Sequence, residues 1–450
     1  MGAGQSSPQN DPSTPYLVVH FQEPDKIRVL NGSSQINSAI LETVSKHYSE
    51  PRSAVAKNNY YELSLRRWPL LLGSRREAHK IKLTCCAILG QLWDLGWELC
   101  LSPELKKTAH WTSWFFRKRE RRDEAELINC PDWALQCAKD CLTALDMACA
   151  GSVASKRLIL HIRAFHERGL ALYGRADLKS TSDSLFFKME PHHEEKQFAM
   201  ISLSKASRIR LIEAPTGVAD AVREAIMAHW PEGMRSGEEH VEKECTEFVL
   251  SGSPWFCSKE AAVHARLFIG HVLQKLLAKG WEVRTAIDVS RKPDSKSVFV
   301  LASCQPKEAV PWMCLMPSGL GKLRVLHAPS DIEGRLDEVM DNQWKRGIVT
   351  KGPIPHGYHW VLQRMPWIRS SAKVRHLLTG ILQCLAQEGW SPYCSANLSG
   401  MFIAEGVPYS CHTLYFTKEP SKEPDLTSAV AQEEDAMTSV EEEEGNLIEI

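Results

Sequence analysis

The clearest pattern along the 450-residue chain is an amphipathic helix that ends at a glycine followed by a large apolar residue. The pattern occurs four times, closing at Gly96, Gly169, Gly280 and Gly389. The residues four, seven and eleven positions before each glycine are apolar, and these offsets lie on one face of an α-helix. Because glycine suits the left-handed position that closes a helix, the pattern predicts four helices with the same type of end.

A second shared block precedes three of these helices and predicts a strand, a helix and another strand. The alternating first strands are Lys26–Leu30, Arg208–Ile212 and Lys322–Leu326. The helices that follow are predicted over Ile36–Tyr48, Val218–Trp230 and Ile332–Trp344. The next strands are Tyr60–Leu65, Glu247–Leu250 and Tyr358–Leu362, and each leads to a turn with Trp and Pro, at Trp68-Pro69, Pro254-Trp255 and Pro366-Trp367.

After each glycine corner the chain enters a strand, a polar turn and an aromatic strand. The aromatic strands are Trp114–Phe116, Leu185–Phe187, Val298–Val300 and Leu414–Phe416. A full unit therefore reads β-α-β-α-β-β and repeats at about 110 residues, since Arg208 and Lys322 are 114 residues apart. The sequence predicts an α+β or α/β protein of tandem repeats, with three full copies and one half copy.

These boundaries divide the chain into six parts. We expect a flexible amino terminus over 1–14, unit 1 over 15–118, a half unit over 119–190, unit 2 over 196–303, unit 3 over 310–418 and a disordered acidic tail over 419–450. In the half unit a different helix, predicted over Asp132–Ala150, replaces the first part. The tail has eleven acidic residues and one Lys, which gives it a net charge of −10. Since the formal net charge of the whole chain is −1, residues 1–418 carry a net charge of +9.

Composition and terminal sequence indicate a cytoplasmic protein. Hydrophobic residues make up 43% and charged residues 24%, close to globular averages. The amino terminus has neither the basic region nor the apolar region of a secretory signal, and no run approaches the roughly 18 apolar residues of a membrane-spanning helix. We interpret the 14 cysteines as reduced and mainly structural.

The sharpest local motif is Met1-Gly2-x-x-x-Ser6. Removal of Met1 exposes the amine of Gly2, which a myristoyl group can acylate, and a small hydroxyl residue at position 6 fits the motif. A flexible, unmodified start is the alternative. Because one myristoyl chain binds bilayers only marginally and reversibly, we expect a second membrane signal elsewhere in the chain.

The candidate second signal is the segment Trp111–Arg122, in which five cations lie beside four aromatic residues. The cations Arg117, Lys118, Arg119, Arg121 and Arg122 are the predicted contacts to an anionic membrane surface. The aromatic residues, however, occupy the last strand of unit 1. The competing interpretation is therefore a core strand followed by a solvated charged turn, and a nuclear or nucleic-acid contact is a further alternative.

The sequence carries no catalytic, cofactor-binding or metal-binding motif. His-Glu-x-x-His, Gly-x-Ser-x-Gly and phosphate-loop patterns are missing, and Gly319–Leu323 lacks the spacing and the Ser/Thr of a phosphate loop. The recurring tryptophans are expected to pack in each unit. A charge of +9 over 418 residues is dilute for a nucleic-acid-binding protein, and no particular small-molecule ligand is indicated.

These features favour an adaptor or scaffold that binds other proteins through its repeats and that lies partly at the cytoplasmic face of a membrane, because tandem repeats tend to present extended surfaces. Two alternatives remain open. One is an enzyme whose site uses residues specific to one unit. The other is a soluble nuclear or nucleic-acid-associated factor that uses the basic residues at 117–122.

Overall fold

The structure is a computed structural model that describes residues 15–22, 24–70, 75–105, 112–119, 152–176, 184–190, 194–242, 245–257, 259–289, 296–367, 372–399 and 411–418. Five predictions lie outside these ranges: the flexible amino terminus over 1–14, the lipidation site Gly2, the cations Arg121 and Arg122, the helix over 132–150 and the acidic tail.

Three segments of the chain have the same eight elements. In unit 1 these are β1 (Tyr16–Gln22), β2 (Lys26–Leu30), α1 (Ser34–His47), β3 (Ser53–Lys57), β4 (Tyr60–Ser64), α2 (Arg75–Asp94), β5 (Trp97–Leu101) and β6 (Ser113–Lys118). The half unit consists of α3 (Ser152–His166), β7 (Leu170–Ala176) and β8 (Ser184–Met189).

Units 2 and 3 repeat the order of unit 1. Unit 2 has β9 (Phe198–Ser204), β10 (Arg208–Ile212), α4 (Thr216–His229), β11 (Met234–Glu242), β12 (Cys245–Leu250), α5 (Lys259–Ala278), β13 (Trp281–Ile287) and β14 (Val298–Ser303). Unit 3 has β15 (Trp312–Ser318), β16 (Lys322–Leu326), α6 (Ser330–Gln343), β17 (Ile348–Ile354), β18 (Gly357–Leu362), α7 (Ala372–Gln387), β19 (Trp390–Ala396) and β20 (Thr413–Lys418).

Each full unit folds into a six-stranded antiparallel sheet. The order in unit 1 is β3-β4-β2-β1-β6-β5, and units 2 and 3 have the same order, whereas β7 and β8 of the half unit form a two-stranded sheet. The first strand therefore lies inside the sheet, and the third and fifth strands form its edges. All described strand pairs are antiparallel, so the protein consists of tandem α+β repeats.

The predicted unit of β-α-β-α-β-β lacks two strands that the structure contains. The missed first strand, such as Tyr16–Gln22, is buried on both faces at all positions but the last, so its apolar and polar residues do not alternate. The missed third strand, such as Ser53–Lys57, is an exposed edge with no buried side chain. Hydrophobic alternation identifies half-buried strands, and neither of these strands is half-buried.

The glycine corners are confirmed. Gly96, Gly169, Gly280 and Gly389 have φ angles of 84°, 77°, 78° and 78°, in the left-handed region. The apolar positions four, seven and eleven residues before each glycine are all buried: Leu92, Leu89 and Cys85; Phe165, Ile162 and Leu158; Leu276, Leu273 and Ile269; Leu385, Leu382 and Leu378.

One tryptophan was assigned to the wrong position in its unit. Trp255 and Trp367 are 0% exposed, as expected for packing, but Trp68 is 50% exposed. The backbone N–H of Leu70 donates to the carbonyl of Pro24, two residues before β2. In unit 2, the backbone N–H of Trp255 donates to the carbonyl of Ala206, two residues before β10. Leu70, at 3% exposure, therefore occupies the buried position of Trp255. The tryptophans that follow the corner glycines are buried: Trp97, Trp281 and Trp390.

The units close into a ring because the second helix of each lies against the sheet of the next. Helix α3 contacts β9 and β10 of unit 2, α5 contacts β15 of unit 3, and α7 contacts β1 and β2 of unit 1. Unit 1 in turn packs on the half unit, where the rings of Trp93 and Tyr173 lie 5.6 Å apart and those of Trp114 and Phe186 also 5.6 Å apart. The hydrophobic cores are consequently shared between neighbouring units.

The inner edge strands β5, β7, β13 and β19 contact one another where the units meet.

A buried polar cluster joins three units at this place. Arg175 of β7 is 1% exposed and donates to Glu104 of unit 1 at 3.0 Å, with His412 of unit 3 also 3.0 Å away. Since an unpaired buried charge is costly, this arginine requires that all three units be assembled.

The contact between α5 and β15 predicts opposite effects for two Gly→Ala substitutions. A Cβ on Gly270 of α5 would lie 2.1 Å from the Trp312 ring, so Gly270→Ala should lower the free energy of unfolding by about 2 kcal/mol. Gly334, exposed on α6 with no atom within 4 Å of an added Cβ, is the control, and Gly334→Ala should raise it by about 0.5–1 kcal/mol. Urea denaturation at 25 °C measures both. Stabilisation by both variants would show that α5 and β15 are not in close contact.

Candidate functional site

The described part of the predicted basic segment lies beside the point where the amino-terminal segment enters the fold. Arg117 of β6 is paired with Tyr16 of β1, and the N–H of Lys118 donates to the carbonyl of Pro15 at 3.1 Å. Residues that are a hundred positions apart in sequence are therefore neighbours. The chain before residue 15 and the chain after residue 119 leave unit 1 at the same end of this strand pair.

The three described cations of this segment have different surroundings. Lys118 is exposed, and the Arg117 side chain is 44% exposed, 3.8 Å from a Glu98 oxygen and 3.5 Å from Ser391 Oγ of unit 3. The Arg119 guanidinium lies 3.9 Å above the Trp93 ring and donates to the Trp93 carbonyl at 2.7 Å, so it caps the end of α2. Arg117 and Lys118 are available to a surface, whereas Arg119 has a structural role.

The aromatic residues of the same segment are core residues. Trp114, Phe115 and Phe116 are at most 1% exposed, and the Trp114 indole donates to the Arg175 carbonyl at 2.9 Å. A membrane contact at this place could therefore use the cations but not these aromatic rings.

A second set of charges recurs on the sheet face that points away from the helices of each unit. In unit 1, Glu62 of β4 is 5% exposed and accepts hydrogen bonds from Arg28 at 2.7 Å, Lys57 at 2.8 Å and Lys26 at 3.2 Å. Burial alone would raise the pKa of Glu62, but the hydrogen bonds from Lys57, Arg28 and Lys26 lower it to about 2. Glu62 therefore stays ionised and neutralises part of the cationic strand pair.

Unit 2 has the same arrangement. Glu247 of β12 is 0% exposed and accepts hydrogen bonds from Arg208 and Arg210, the latter at 2.5 Å. The strand register is equivalent in the two units, because Arg28 lies opposite Glu62 and Arg210 lies opposite Glu247. One carboxylate thus holds two cations of the neighbouring strand in both units.

Unit 3 lacks this carboxylate. Arg324 lies opposite His359, so a histidine stands where units 1 and 2 have a glutamate. Arg324 donates to Ser318 Oγ at 2.5 Å, and His359 Nδ1 lies 3.0 Å from the Gly352 carbonyl. Burial, and next the charge of Arg324, lower the pKa of Lys322. Burial, and next the charge of Arg266, lower the pKa of Arg324. The histidine does not neutralise these cations.

A buried arginine from the preceding unit approaches this face. Arg266 of α5 and Arg375 of α7 each lie 14 residues before a corner glycine, and they are 6% and 1% exposed. Arg375 reaches the unit 1 sheet, where its Nε donates to Ser113 Oγ at 3.0 Å. Arg266 donates to Ala262 O of its own helix at 3.1 Å and to Ser399 Oγ, just after β19 of unit 3, but its buried Nε has no hydrogen-bond partner among the described residues.

We call Lys322, Arg324, His359 and Arg266 the unit 3 cationic cluster. Sequence reasoning missed it, although the signal was present in the three aligned strands. The column that holds Glu62 and Glu247 holds His359 in unit 3, while the paired strand keeps two cations in every copy. Neither column stands out until the copies are aligned, because each residue alone is an ordinary polar position on a half-buried strand.

Comparison with protein families identifies the repeated unit as a known domain. One family model, which describes a single domain, matches the chain three times, over residues 15–117, 197–302 and 311–417. The chain belongs to this domain family. The matches coincide with units that each contain one six-stranded sheet, and they leave the half unit outside. No curated protein and no solved structure matches the chain significantly.

Two further findings concern the described residues only. No group of three or more His, Cys, Asp or Glu side chains among them is arranged to hold a metal ion. None of the described helices combines the length and the apolar character that crossing a bilayer requires.

The low pKa of Glu62 predicts that replacing this carboxylate by a neutral side chain lowers the stability of the fold by an amount that depends on pH. The carboxylate stabilises the fold above the unfolded-state pKa near 4.3, and this stabilisation is lost as the pH falls towards 2. Glu62→Gln should therefore lower the free energy of unfolding by about 3 kcal/mol at pH 7, and the difference from wild type should vanish near pH 2. Urea denaturation at a series of pH values tests this.

Glu42→Gln is the matched control, because Glu42 is exposed on α1 of the same unit. This variant should follow the wild-type curve at every pH. A Glu62→Gln deficit that is the same at pH 7 and pH 3 would contradict the assignment of an ionised, hydrogen-bonded carboxylate.

Proposed function

We propose that the protein is a membrane-associated adaptor that is anchored reversibly by a myristoyl group on Gly2 and that binds protein partners through its tandem α+β units. The observation that supports this proposal is the position of Pro15 beside Lys118, since the segment that leads from Gly2 enters unit 1 next to the described part of the basic segment.

The reach of the amino-terminal segment supports joint action of the two signals. Only twelve residues separate Gly2 from Pro15, and fully extended they span at most about 45 Å. A lipid on Gly2 therefore keeps Pro15, and Arg117 and Lys118 beside it, within about 45 Å of the bilayer, so that these cations can reach its surface. Each such cation contributes about 1 kcal/mol of attraction to an anionic membrane surface. Two cations together strengthen the marginal binding of a single myristoyl chain.

The adaptor part of the proposal is supported by the outer edge of unit 1. Strand β3 is an edge strand whose five residues are all exposed, including Val55 at 46%. An extended segment of another protein can add to such an edge through backbone hydrogen bonds. The corresponding edge strands of units 2 and 3 are less regular, because β11 has register shifts and β17 contains Pro353. Unit 1 therefore offers the most regular edge for a partner strand.

Vesicle binding by the lipidated full-length protein tests the proposal. We expect the wild type to bind phosphatidylserine-containing vesicles at low salt and Gly2→Ala to remain unbound. The double variant Arg117→Gln/Lys118→Gln should keep the lipid and bind about 30-fold more weakly, because two attractive charges of about 1 kcal/mol each are lost. Lys205→Gln, at an exposed position in the β9–β10 turn of unit 2, is the matched control and should bind like the wild type.

Mass spectrometry of the native amino terminus completes this test. A Gly2 amine that carries no acyl group in cells would remove the membrane anchor from the proposal. Equal vesicle binding by the double variant and by Lys205→Gln would show that the basic segment does not contribute.

A further inference from the structure

We propose that the unit 3 cationic cluster is a binding site for a phosphate-type oxyanion. In this assignment Lys322, Arg324 and Arg266 hold the anion at the place where units 1 and 2 hold their own glutamate. The site lies on unit 3, and it does not depend on the lipidation of Gly2 or on the basic segment of unit 1.

The sibling units show that this strand geometry binds an oxyanion. In units 1 and 2 the cations at the positions of Lys322 and Arg324 donate to the two oxygens of one carboxylate. The strand pairing is the same in unit 3, where Lys322 and Arg324 lie on β16 and His359 lies on β18. The donors are therefore held at the same positions of the strand as in units 1 and 2, and β18 supplies His359 in place of a carboxylate.

The charge around this place is not balanced within the described part of the chain. No described carboxylate forms an ion pair with Lys322, Arg324 or Arg266, whereas Glu62 and Glu247 each pair with two or more cations. Burial, and next the charge of Arg266, lower the pKa of Arg324, the direction expected for a like charge nearby. A bound anion would offset these like charges and would satisfy buried donors.

Arg266 supplies the second, independent sign of a ligand. Its side chain is 6% exposed, and its buried Nε has no hydrogen-bond partner within the part of the chain that the structure describes. The equivalent Arg375 has Ser113 Oγ as the acceptor for its Nε. A buried guanidinium with an unsatisfied N–H group destabilises the fold. An anion bound next to Arg266 would supply the missing acceptor and remove this cost.

The types of donor suit a phosphate group. Units 1 and 2 each place one glutamate against their cations, whereas unit 3 has Lys322, Arg324 and Arg266 and a histidine at the equivalent place. Arginine donors match the geometry of phosphate oxygens and can bind two of them at once. A soluble phosphate compound and a phospholipid headgroup present the same chemistry, and the experiment below distinguishes them.

The test uses full-length Gly2→Ala protein, so that its outcome is independent of lipid anchoring. Thermal unfolding with increasing inorganic phosphate or pyrophosphate, at constant ionic strength set with chloride, should show a saturable rise in Tm. Arg324→Gln should weaken binding at least about 10-fold, as expected when one charge-assisted contact is lost. His359→Gln should retain binding because it adds no charge, and Lys205→Gln should bind like the Gly2→Ala protein.

The decisive variant is His359→Glu, which introduces the carboxylate of units 1 and 2. It should abolish the phosphate response and raise the Tm without ligand, because the internal carboxylate then occupies the site. Binding of soluble inositol phosphates as well as of phosphoinositide vesicles would identify a headgroup-type ligand, and binding of soluble phosphates alone would identify a soluble one. An equal phosphate response in His359→Glu, which indicates an adventitious ion only, or binding confined to phosphopeptides, would overturn the proposal.

Discussion

The structure depends on second helices that are buried on two sides at once. Ten residues of α7 are buried: Val374, Arg375, Leu377, Leu378, Thr379, Gly380, Ile381, Leu382, Cys384 and Leu385. A helix that rests on one sheet buries a single stripe, so a helix buried over so much of its surface needs a second partner. The sheet of the next unit supplies that partner. Unit 3 alone could therefore not bury α7, and the contact of α7 with the sheet of unit 1 closes the ring.

This constraint explains the shape of the half unit. Its helix α3 covers the sheet of unit 2, and its strands β7 and β8 lie against unit 1, so the elements it retains are those that complete the ring. Two equivalent hydrogen bonds mark the pairing of units: Tyr173 Oη accepts from the Leu99 N–H, and Tyr393 Oη accepts from the Val283 N–H, both at 2.9 Å. Unit 1 with the half unit therefore corresponds to unit 2 with unit 3.

The sequence predicts those parts of the fold that rest on half-buried periodicity and on backbone conformation. The four glycine corners, the buried helix columns and the strands such as Lys26–Leu30 belong to this class. The ring could not be predicted, because an apolar residue on a helix does not show which of two sheets it contacts. Gly270 illustrates this, since its small size is explained only by Trp312 of another unit. The position of Pro15 beside Lys118 depends on a pairing of first and last strands, and the first strand itself was missed.

Repetition also changes how a polar residue is interpreted. A lone Arg324 on a half-buried strand would be unremarkable, since long cationic side chains often reach solvent from such positions. Its siblings show what that position does when a carboxylate is present, and the comparison isolates the single change from glutamate to His359. If this change served only stability, removal of the carboxylate would be expected together with loss of the cations, because unpaired buried charges are destabilising. Lys322 and Arg324 remain, and α5 brings Arg266 to the same face. The anion that we propose for unit 3 would account for this combination, because it would take the place of the missing carboxylate.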